Sequence, residues 1–171
     1  MDNLSFLLQS TQLKSIDRAG WKRVGIEHPE SVAAHSWGVV LLCSLYCPTN
    51  LNRERVLQIA MVHDLPEIVV GDITPHDGIS PDEKIAKETH AAHQLLPSSL
   101  LEFWREYKEQ QTEESLFVHS MDKIDMLVQA LTYANTHHKD TTEFINSARK
   151  SVHPKYQELL EAIVDMTKQR K

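Results

Sequence analysis

Apolar residues recur at helical spacing along almost the whole chain. One such stripe contains Val32, Val39 and Leu42, with His35 among them. Another contains Val56, Ile59 and Ala60 and ends at His63. The pattern predicts helices at 4–16, from a Ser31 N-cap past 42, and at 52–63, 80–96, 97–107, 113–134, 142–152 and 155–168. No segment shows a sustained apolar–polar alternation, so we expect an all-α fold, a helical bundle without strands.

Breaks in the pattern fall at glycines and prolines. The stretch 18–29 is predicted as an irregular crossing and 71–78 as a loop, while Pro66 ends the third helix or starts a short turn. Ser80-Pro81-Asp82-Glu83 has the form of a capping box, and Pro97-Ser98 is predicted to cap the following helix. No linker separates two units, so residues 1–171 are predicted to form a single domain.

Composition and charge exclude several classes of function. The 171 residues are 41% hydrophobic and 25% charged, with a net charge of −6, so the chain lacks the basic excess of a protein that binds nucleic-acid polymers. A small anionic substrate remains compatible, because a metal ion and one arginine supply local positive charge. The start of the chain lacks a basic signal segment, the apolar run 37–47 is too short to span a membrane, and Cys43 and Cys47 are interpreted as buried thiols. We therefore expect a cytoplasmic protein without a membrane partner.

Two His-Asp dipeptides occur, and their contexts differ. His76-Asp77 lies between Pro75 and Gly78, which is typical of a solvated loop. His63-Asp64 ends an apolar helix, where a buried carboxylate needs a partner, either a metal ion or an arginine or hydrogen-bond network.

Further polar residues extend the His63-Asp64 pair. Glu67 shares its helix face if the helix continues through Pro66, and Asp72 adds a second carboxylate. His35 and Asp122 interrupt apolar stripes, and a core histidine and a paired aspartate are the structural alternatives. If His35, His63, Asp64 and Asp122 meet, they form a nitrogen–oxygen ligand set that suits Mn, Fe, Co, Zn or Ni.

These segments resemble the HD-domain phosphohydrolases, and more closely the HD-domain-containing protein 2 group and the bacterial 5′-deoxynucleotidases. The resemblance covers roughly 4–160 and rests on the segments 18–21, 29–35, 63–75 and 117–122. One departure is Ala34, which precedes His35 where relatives usually carry an acid. If that acid supports the ligand, we expect weaker metal affinity here.

The resemblance implies a phosphoric monoester hydrolase that releases phosphate from deoxyribonucleoside 5′-monophosphates. It further implies four metal ligands, His35, His63, Asp64 and Asp122, and a homodimeric assembly. By position, Arg18 contacts the phosphate, Trp21 lies beside the sugar or base, Glu67 orients or deprotonates water, and Asp72 contacts the sugar or leaving oxygen. A second ion such as Mg²⁺ is implied at Glu67, Asp72 and the carbonyl of Ile73.

Alternatives stay open at this point. Arg18 also suits a surface ion pair and Trp21 a packing anchor, and the helix of Trp104 and Tyr107 suits either a dimer interface or the core. His90 and His93 are candidates for extra ligands of a dinuclear iron oxygenase, as in oxygen-activating HD enzymes. Another HD-domain nucleotide phosphohydrolase, and a non-catalytic helical module with a structural metal, are the remaining hypotheses.

Overall fold

The computed structural model describes residues 2–169, which fold into helices joined by short turns, without an extended β-strand. The α-helices are α1 Asn3–Ser10, α2 Ala19–Arg23, α3 Val32–Tyr46, α4 Arg53–Val62, α5 Glu67–Val70, α6 Pro81–Leu95, α7 Ser98–Glu109, α8 Glu113–His137, α9 Thr142–Ser151 and α10 Gln157–Gln169. Short 3₁₀ turns span Thr11–Ser15 and Pro154–Tyr156. The predicted all-α class is confirmed.

Side-chain caps set the start of the helices that carry the site. The side-chain oxygens of Ser31, Asn52 and Ser80 each accept a hydrogen bond from a backbone N–H in the first turn of the helix they precede. Ser31 and Ser80 are therefore N-caps, as predicted. The helix start expected at 97–98 is confirmed, with Pro97 at the N-cap position, although Pro97 makes no side-chain hydrogen bond and Ser98 is already helical.

Two further predictions about elements need correction. The stretch 18–29 contains α2, a helix too short for the periodicity to reveal. The first predicted helix divides at Ser10, where the chain tightens into the 3₁₀ turn. The third helix ends at Val62 and the short helix α5 begins directly after Pro66, which agrees with the helix end or short turn expected at the proline. The condition under which Glu67 would share one helix face with His63 is therefore not met.

The helix α8 is the central element of the core. It packs against α3, α4, α7 and α9, and its inner face carries Phe117, Met121, Ile124 and Leu127, all fully buried. Trp104 and Tyr107 on α7 are also buried, which makes them core residues rather than a free surface for a partner. Cys43 is buried and Cys47 is half-buried, and both are free thiols. Among residues 2–169, no helix combines the length and apolar character that a membrane span requires.

An isolated antiparallel bridge between Asp17 and Ser31 connects the segment before α2 with the start of α3. The backbone N–H of Arg18 donates to Glu30 O at 3.0 Å, and that of Val32 donates to Ile16 O at 2.8 Å. These bonds hold Arg18 beside the first turn of α3, which carries His35.

Candidate metal centre and active site

Four side chains from three parts of the fold converge on one point. His35 lies in the first turn of α3, His63 and Asp64 directly follow α4, and Asp122 lies on α8. His35 Nε2 is 3.2 Å from Asp122 Oδ1 and 3.6 Å from Asp64 Oδ2, and His63 Nε2 is 3.2 Å from Asp64 Oδ2. One possible ligand atom from each of His35, His63 and Asp64 lies within 4.8 Å of the others. Asp122 joins this group through its contact with His35.

Both histidines present an unpaired nitrogen to this point. His63 Nδ1 donates to the carbonyl of Ala60 at 2.8 Å, and His35 Nδ1 lies 2.8 Å from Asp125 Oδ2. With Nδ1 engaged in this way, Nε2 is the free ligand atom of each ring. Both Nε2 atoms are buried without a hydrogen-bond partner. Two such nitrogens beside two carboxylates fit a divalent transition metal.

Burial and charge act in opposite directions on the ionisation of these groups. Burial disfavours the charged form of Asp122, but Lys123 and His35 outweigh it and hold the pKa of this carboxyl well below its usual value. Asp122 Oδ2 also accepts a hydrogen bond from the Tyr107 hydroxyl at 2.6 Å and lies 3.0 Å from Lys123 Nζ. Burial likewise opposes ionisation of Asp64, yet the neighbouring His63 lowers its pKa. Both carboxylates are therefore charged and ready to bind a cation.

Arg18 lies at the edge of the metal cluster. Its Nη1 is 3.4 Å from Asp72 Oδ1 and 4.0 Å from Asp64 Oδ2, and its side chain is 15% exposed. The other carboxylate oxygen of Asp72, Oδ2, accepts a hydrogen bond from the backbone N–H of Ala19 at 2.7 Å, which holds this side chain in place. Arg18 is thus part of a nearly buried cluster of charges and not of a surface ion pair.

Glu67 reaches the site although the helix breaks at Pro66. A turn bond from the Glu67 N–H to Asp64 O at 3.0 Å keeps the two residues together. The Glu67 side chain is buried, and its Oε2 has no hydrogen-bond partner. Burial and the neighbouring charges of Asp64 and Asp72 raise its pKa well above the usual value. A raised pKa makes the ionised carboxylate a stronger base than that of an ordinary glutamate.

Two cavities flank the cluster. One, of about 320 Å³, has an aromatic wall that includes Trp21 and Phe144, and the other, of about 260 Å³, is lined by Asp64, Glu67 and Asp122. Both cavities are bordered by the same four charged side chains, Arg18, Asp72, Lys84 and Lys123. The charged residues thus form the junction between an aromatic cavity and a polar one.

Trp21 lines the aromatic cavity but is 1% exposed. It packs against Tyr133 and Phe144, and its Nε1 donates to Glu30 at 2.9 Å. Trp21 is therefore a packing anchor that also forms part of the cavity wall.

The other predicted candidates lie as follows. The carbonyl of Ile73 accepts a hydrogen bond from Lys84 Nζ at 2.6 Å. His90 and His93 are exposed on α6, and His93 lies 3.2 Å from Arg105, so the structure does not bring either into the cluster. Ala34 is exposed, and the second nitrogen of His35 is engaged by Asp125. The loss of an acid at position 34 therefore leaves this imidazole supported.

A family model described as "HD domain" matches residues 10–164 of the chain. The chain belongs to the HD domain family. The 5′-deoxynucleotidase HDDC2 of Xenopus laevis is 37% identical over 172 residues, which cover 95% of this chain and 86% of the relative. The crystal structure of a Pyrococcus horikoshii protein matches with a TM-score of 0.83 at 29% identity, over 94% of this chain and 97% of that one.

A more distant HD-family neighbour was solved with ligands. The HD phosphohydrolase DatZ of cyanophage S-2L, bound to dA and one catalytic Zn²⁺, matches with a TM-score of 0.63 at 18% identity, over 95% of this chain and 94% of that one. At this identity the match shows a shared fold. The resemblance to the HD family that the sequence indicated is confirmed.

Sequence reasoning missed three residues of this HD-domain site. Asp125 follows Asp122 by one helical turn, and this spacing was the available signal for it. Tyr107 and Lys84 reach the site from α7 and α6, and no local pattern marks them. Their positions depend on how the helices pack.

Proposed function

We propose that this HD-domain protein is a metal-dependent 5′-deoxynucleotidase, which hydrolyses deoxyribonucleoside 5′-monophosphates to deoxynucleoside and phosphate. The observation that carries the proposal is the junction of a His/Asp cluster, a nearly buried arginine and an aromatic cavity. The name of the Xenopus relative, which matches over most of both chains, supports the same activity.

In this proposal His35, His63, Asp64 and Asp122 hold the catalytic ion. The mixed nitrogen and oxygen ligands suit Mn, Co, Fe, Zn or Ni. When bound, such an ion polarises a phosphate oxygen and lowers the pKa of water. The two Nε2 atoms already face the site, because each imidazole is held through Nδ1.

The two cavities orient the substrate. The nucleoside occupies the aromatic cavity, whose wall includes Trp21, and the phosphate lies at the junction beside Arg18. The guanidinium of Arg18 offsets charge on the phosphate oxygens, since its planar donors match that group. Asp72, held by Ala19 N–H, faces the sugar or the leaving oxygen.

Glu67 acts on the water from the polar cavity, on the side away from the nucleoside. An in-line displacement needs the attacking and leaving oxygens on opposite sides of phosphorus. We assign the water to the polar cavity and the leaving nucleoside to the aromatic cavity. Glu67 orients the water and accepts its proton, for which its raised pKa is suited.

A second ion at Glu67, Asp72 and the Ile73 carbonyl competes with this role. An ion-bound carboxylate is a weaker base, and Lys84 already donates to the Ile73 oxygen at 2.6 Å. A site for Mg²⁺ there therefore requires Lys84 to share or release that carbonyl.

We further propose a cytoplasmic location, as expected from the sequence, and a homodimer, as the resemblance implies. Trp104 and Tyr107 are buried within the protomer, so the dimer interface lies elsewhere. Trp37, Leu41 and Leu45 are exposed at successive turns of α3 and form an apolar face of the kind that a second copy covers. Sedimentation of the purified protein tests the assembly.

The test of function is phosphate release from a panel of nucleoside mono-, di- and triphosphates in the presence of Mn²⁺, Co²⁺, Mg²⁺ or Zn²⁺. We expect release from deoxyribonucleoside 5′-monophosphates that stops with a chelator and with Asp122→Asn. An exposed-site variant, Glu109→Gln, serves as the matched control and should retain activity. No release from any monophosphate with any metal would reject the proposal.

A further inference from the structure

A small group of side chains behind His35 carries an inference that rests on the proposed metal site. His35 Nδ1 lies 2.8 Å from Asp125 Oδ2, on the side of the imidazole opposite the cluster. Asp125 lies on α8, one turn after Asp122, so a single helix supplies both a proposed ligand and the support of another.

The approach of Asp125 depends on a glycine. Gly38 lies in the interior of α3, one turn after His35, where glycine is a poor helix former. A Cβ built on Gly38 would lie 2.1 Å from Asp125 Oδ1 and 2.8 Å from its Cγ. Any side chain at position 38 therefore conflicts with the carboxylate in its present place.

A second carboxylate, that of Glu30, borders the pair of His35 and Asp125. One oxygen of Glu30 lies within 4.8 Å of His35 and Asp125, and Glu30 is itself fixed, since it accepts from Trp21 Nε1 at 2.9 Å and its N–H donates to Tyr133 at 2.8 Å. Relief of the Cβ clash at position 38 requires the Asp125 carboxylate to move, and the same carboxylate lies 2.8 Å from His35 Nδ1.

We propose that Asp125 is a positioning residue that fixes the ring of His35 for metal binding, and that Gly38 is glycine because only the absence of a side chain admits Asp125. The two residues act as one device. Asp125 holds the Nδ1 proton, which leaves Nε2 as the ligand atom, and Gly38 acts solely through Asp125. Support of this kind changes metal affinity or activity by about 10–100-fold.

Binding of Co²⁺ to the full-length protein tests the device independently of turnover. Affinity is measured by calorimetry, and the visible absorption of the bound Co²⁺ reports the ligand geometry. We expect Asp125→Ala and Gly38→Ala each to weaken Co²⁺ binding about 10–100-fold and to change the spectrum. Asp125→Asn, which keeps an acceptor oxygen, should restore part of the affinity. Ser36→Ala, on the same helix, is the matched control and should bind as the unmodified protein does.

The double variant Gly38→Ala/Asp125→Ala decides whether the two residues act together. We expect its affinity to equal that of Asp125→Ala alone, because the methyl group then has no carboxylate to displace. If Gly38→Ala alone fails to fold, restored folding in the double variant supports the device, and continued failure rejects the role of Gly38.

Three results would overturn the inference. The first is an unchanged Co²⁺ affinity and spectrum in Asp125→Ala, and the second is an unchanged affinity in a folded Gly38→Ala. The third is a loss of affinity in the double variant that equals the product of the fold-losses in the two single variants. If the unmodified protein itself does not bind Co²⁺, the proposed metal site is rejected. If it binds Co²⁺ but the variants bind equally well, only the positioning role of Asp125 and Gly38 is rejected.

Discussion

At the scale of single residues, Asp122 shows what sequence can and cannot predict. An aspartate in the middle of an apolar helix requires a partner, and the sequence therefore marked it as unusual. Three groups lie beside it in the structure: the Tyr107 hydroxyl, which donates to Oδ2, Lys123 Nζ at 3.0 Å and His35 Nε2 at 3.2 Å. Lys123 was visible as its neighbour in the chain, whereas the other two come from α7 and α3. The need for partners was predictable, and the identity of the distant ones was not.

Substitution of Glu67 should change catalytic activity and folding stability in opposite directions. Glu67→Gln should lower kcat by about 10²–10⁴-fold, because the amide cannot accept the proton of water. Folding raises the pKa of Glu67, so ionisation opposes folding as pH rises from the ordinary value through the raised one. A neutral glutamine removes the loss of folding free energy that this ionisation causes. The metal-free variant should therefore have a higher midpoint of thermal unfolding than the metal-free unmodified protein at pH 7–8.

Calorimetric scans and steady-state kinetics check both parts of this prediction, and Mn²⁺ binding verifies that the metal site persists. Glu109→Gln, at an exposed position, is the control for the change from glutamate to glutamine. Unmodified turnover in Glu67→Gln would reject its catalytic role.

The pKa of His35 determines how metal affinity should depend on pH. Burial and the Arg18 charge lower its pKa, but Asp122 and Asp125 outweigh them and raise it to about 9 in the metal-free protein. Metal binding must therefore displace a proton below that pH, and the apparent affinity should rise about tenfold for each unit towards pH 9. Titrations with Mn²⁺ at pH 6, 7 and 8, in two buffers of different ionisation enthalpy, should detect the released proton. An affinity that is constant over this range would contradict the assignment.

At the scale of elements, the sequence located long helices better than short ones. Periodicity found α3, α4, α6 and α8, because each repeats its apolar positions over several turns. It missed α2, which offers barely one turn, and it placed the end of α8 near residue 134 although the helix continues to His137. Short helices are set by tertiary contacts, and here those contacts include Asp72, which accepts the backbone N–H of Ala19 at the start of α2.

The backbone conformation of the turn after α5 can be tested by substitution of its glycine. Gly71 has φ 76° and ψ 172°, a region that glycine alone adopts without strain, and it precedes Asp72. Gly71→Ala should destabilise the protein by about 1–3 kcal/mol and shift Asp72 away from Arg18, with a loss of activity. Gly78, at φ 70° in the following loop, provides the matched control. We expect Gly78→Ala to lose stability with little loss of activity, as measured by chemical denaturation and phosphate release; equal activity losses in both variants would contradict the role of the turn.

At the scale of the whole molecule, the packing of helices builds the site. The sequence predicted which four side chains would meet, because each was polar where an apolar residue was expected or matched the family pattern. Pattern alone did not predict the two cavities, the placement of Lys84 on the Ile73 carbonyl or the support of His35 by Asp125. These features arise where α3 packs against α8 and where side chains of α6 and α8 border the same cavities. The residues involved are far apart in the chain, and local periodicity does not connect them.

One cation, held jointly by α3, α8 and the turn after α4, is central to the proposed chemistry. Anomalous diffraction from crystals soaked in Mn²⁺ tests this most directly, because the signal locates the metal independently of any assay. We predict one strong peak, contacted by the Nε2 atoms of His35 and His63 and by carboxylate oxygens of Asp64 and Asp122, and its loss in crystals of Asp122→Asn. A soaked crystal without a peak at this point, or with its strongest peak elsewhere in the protein, would contradict the account.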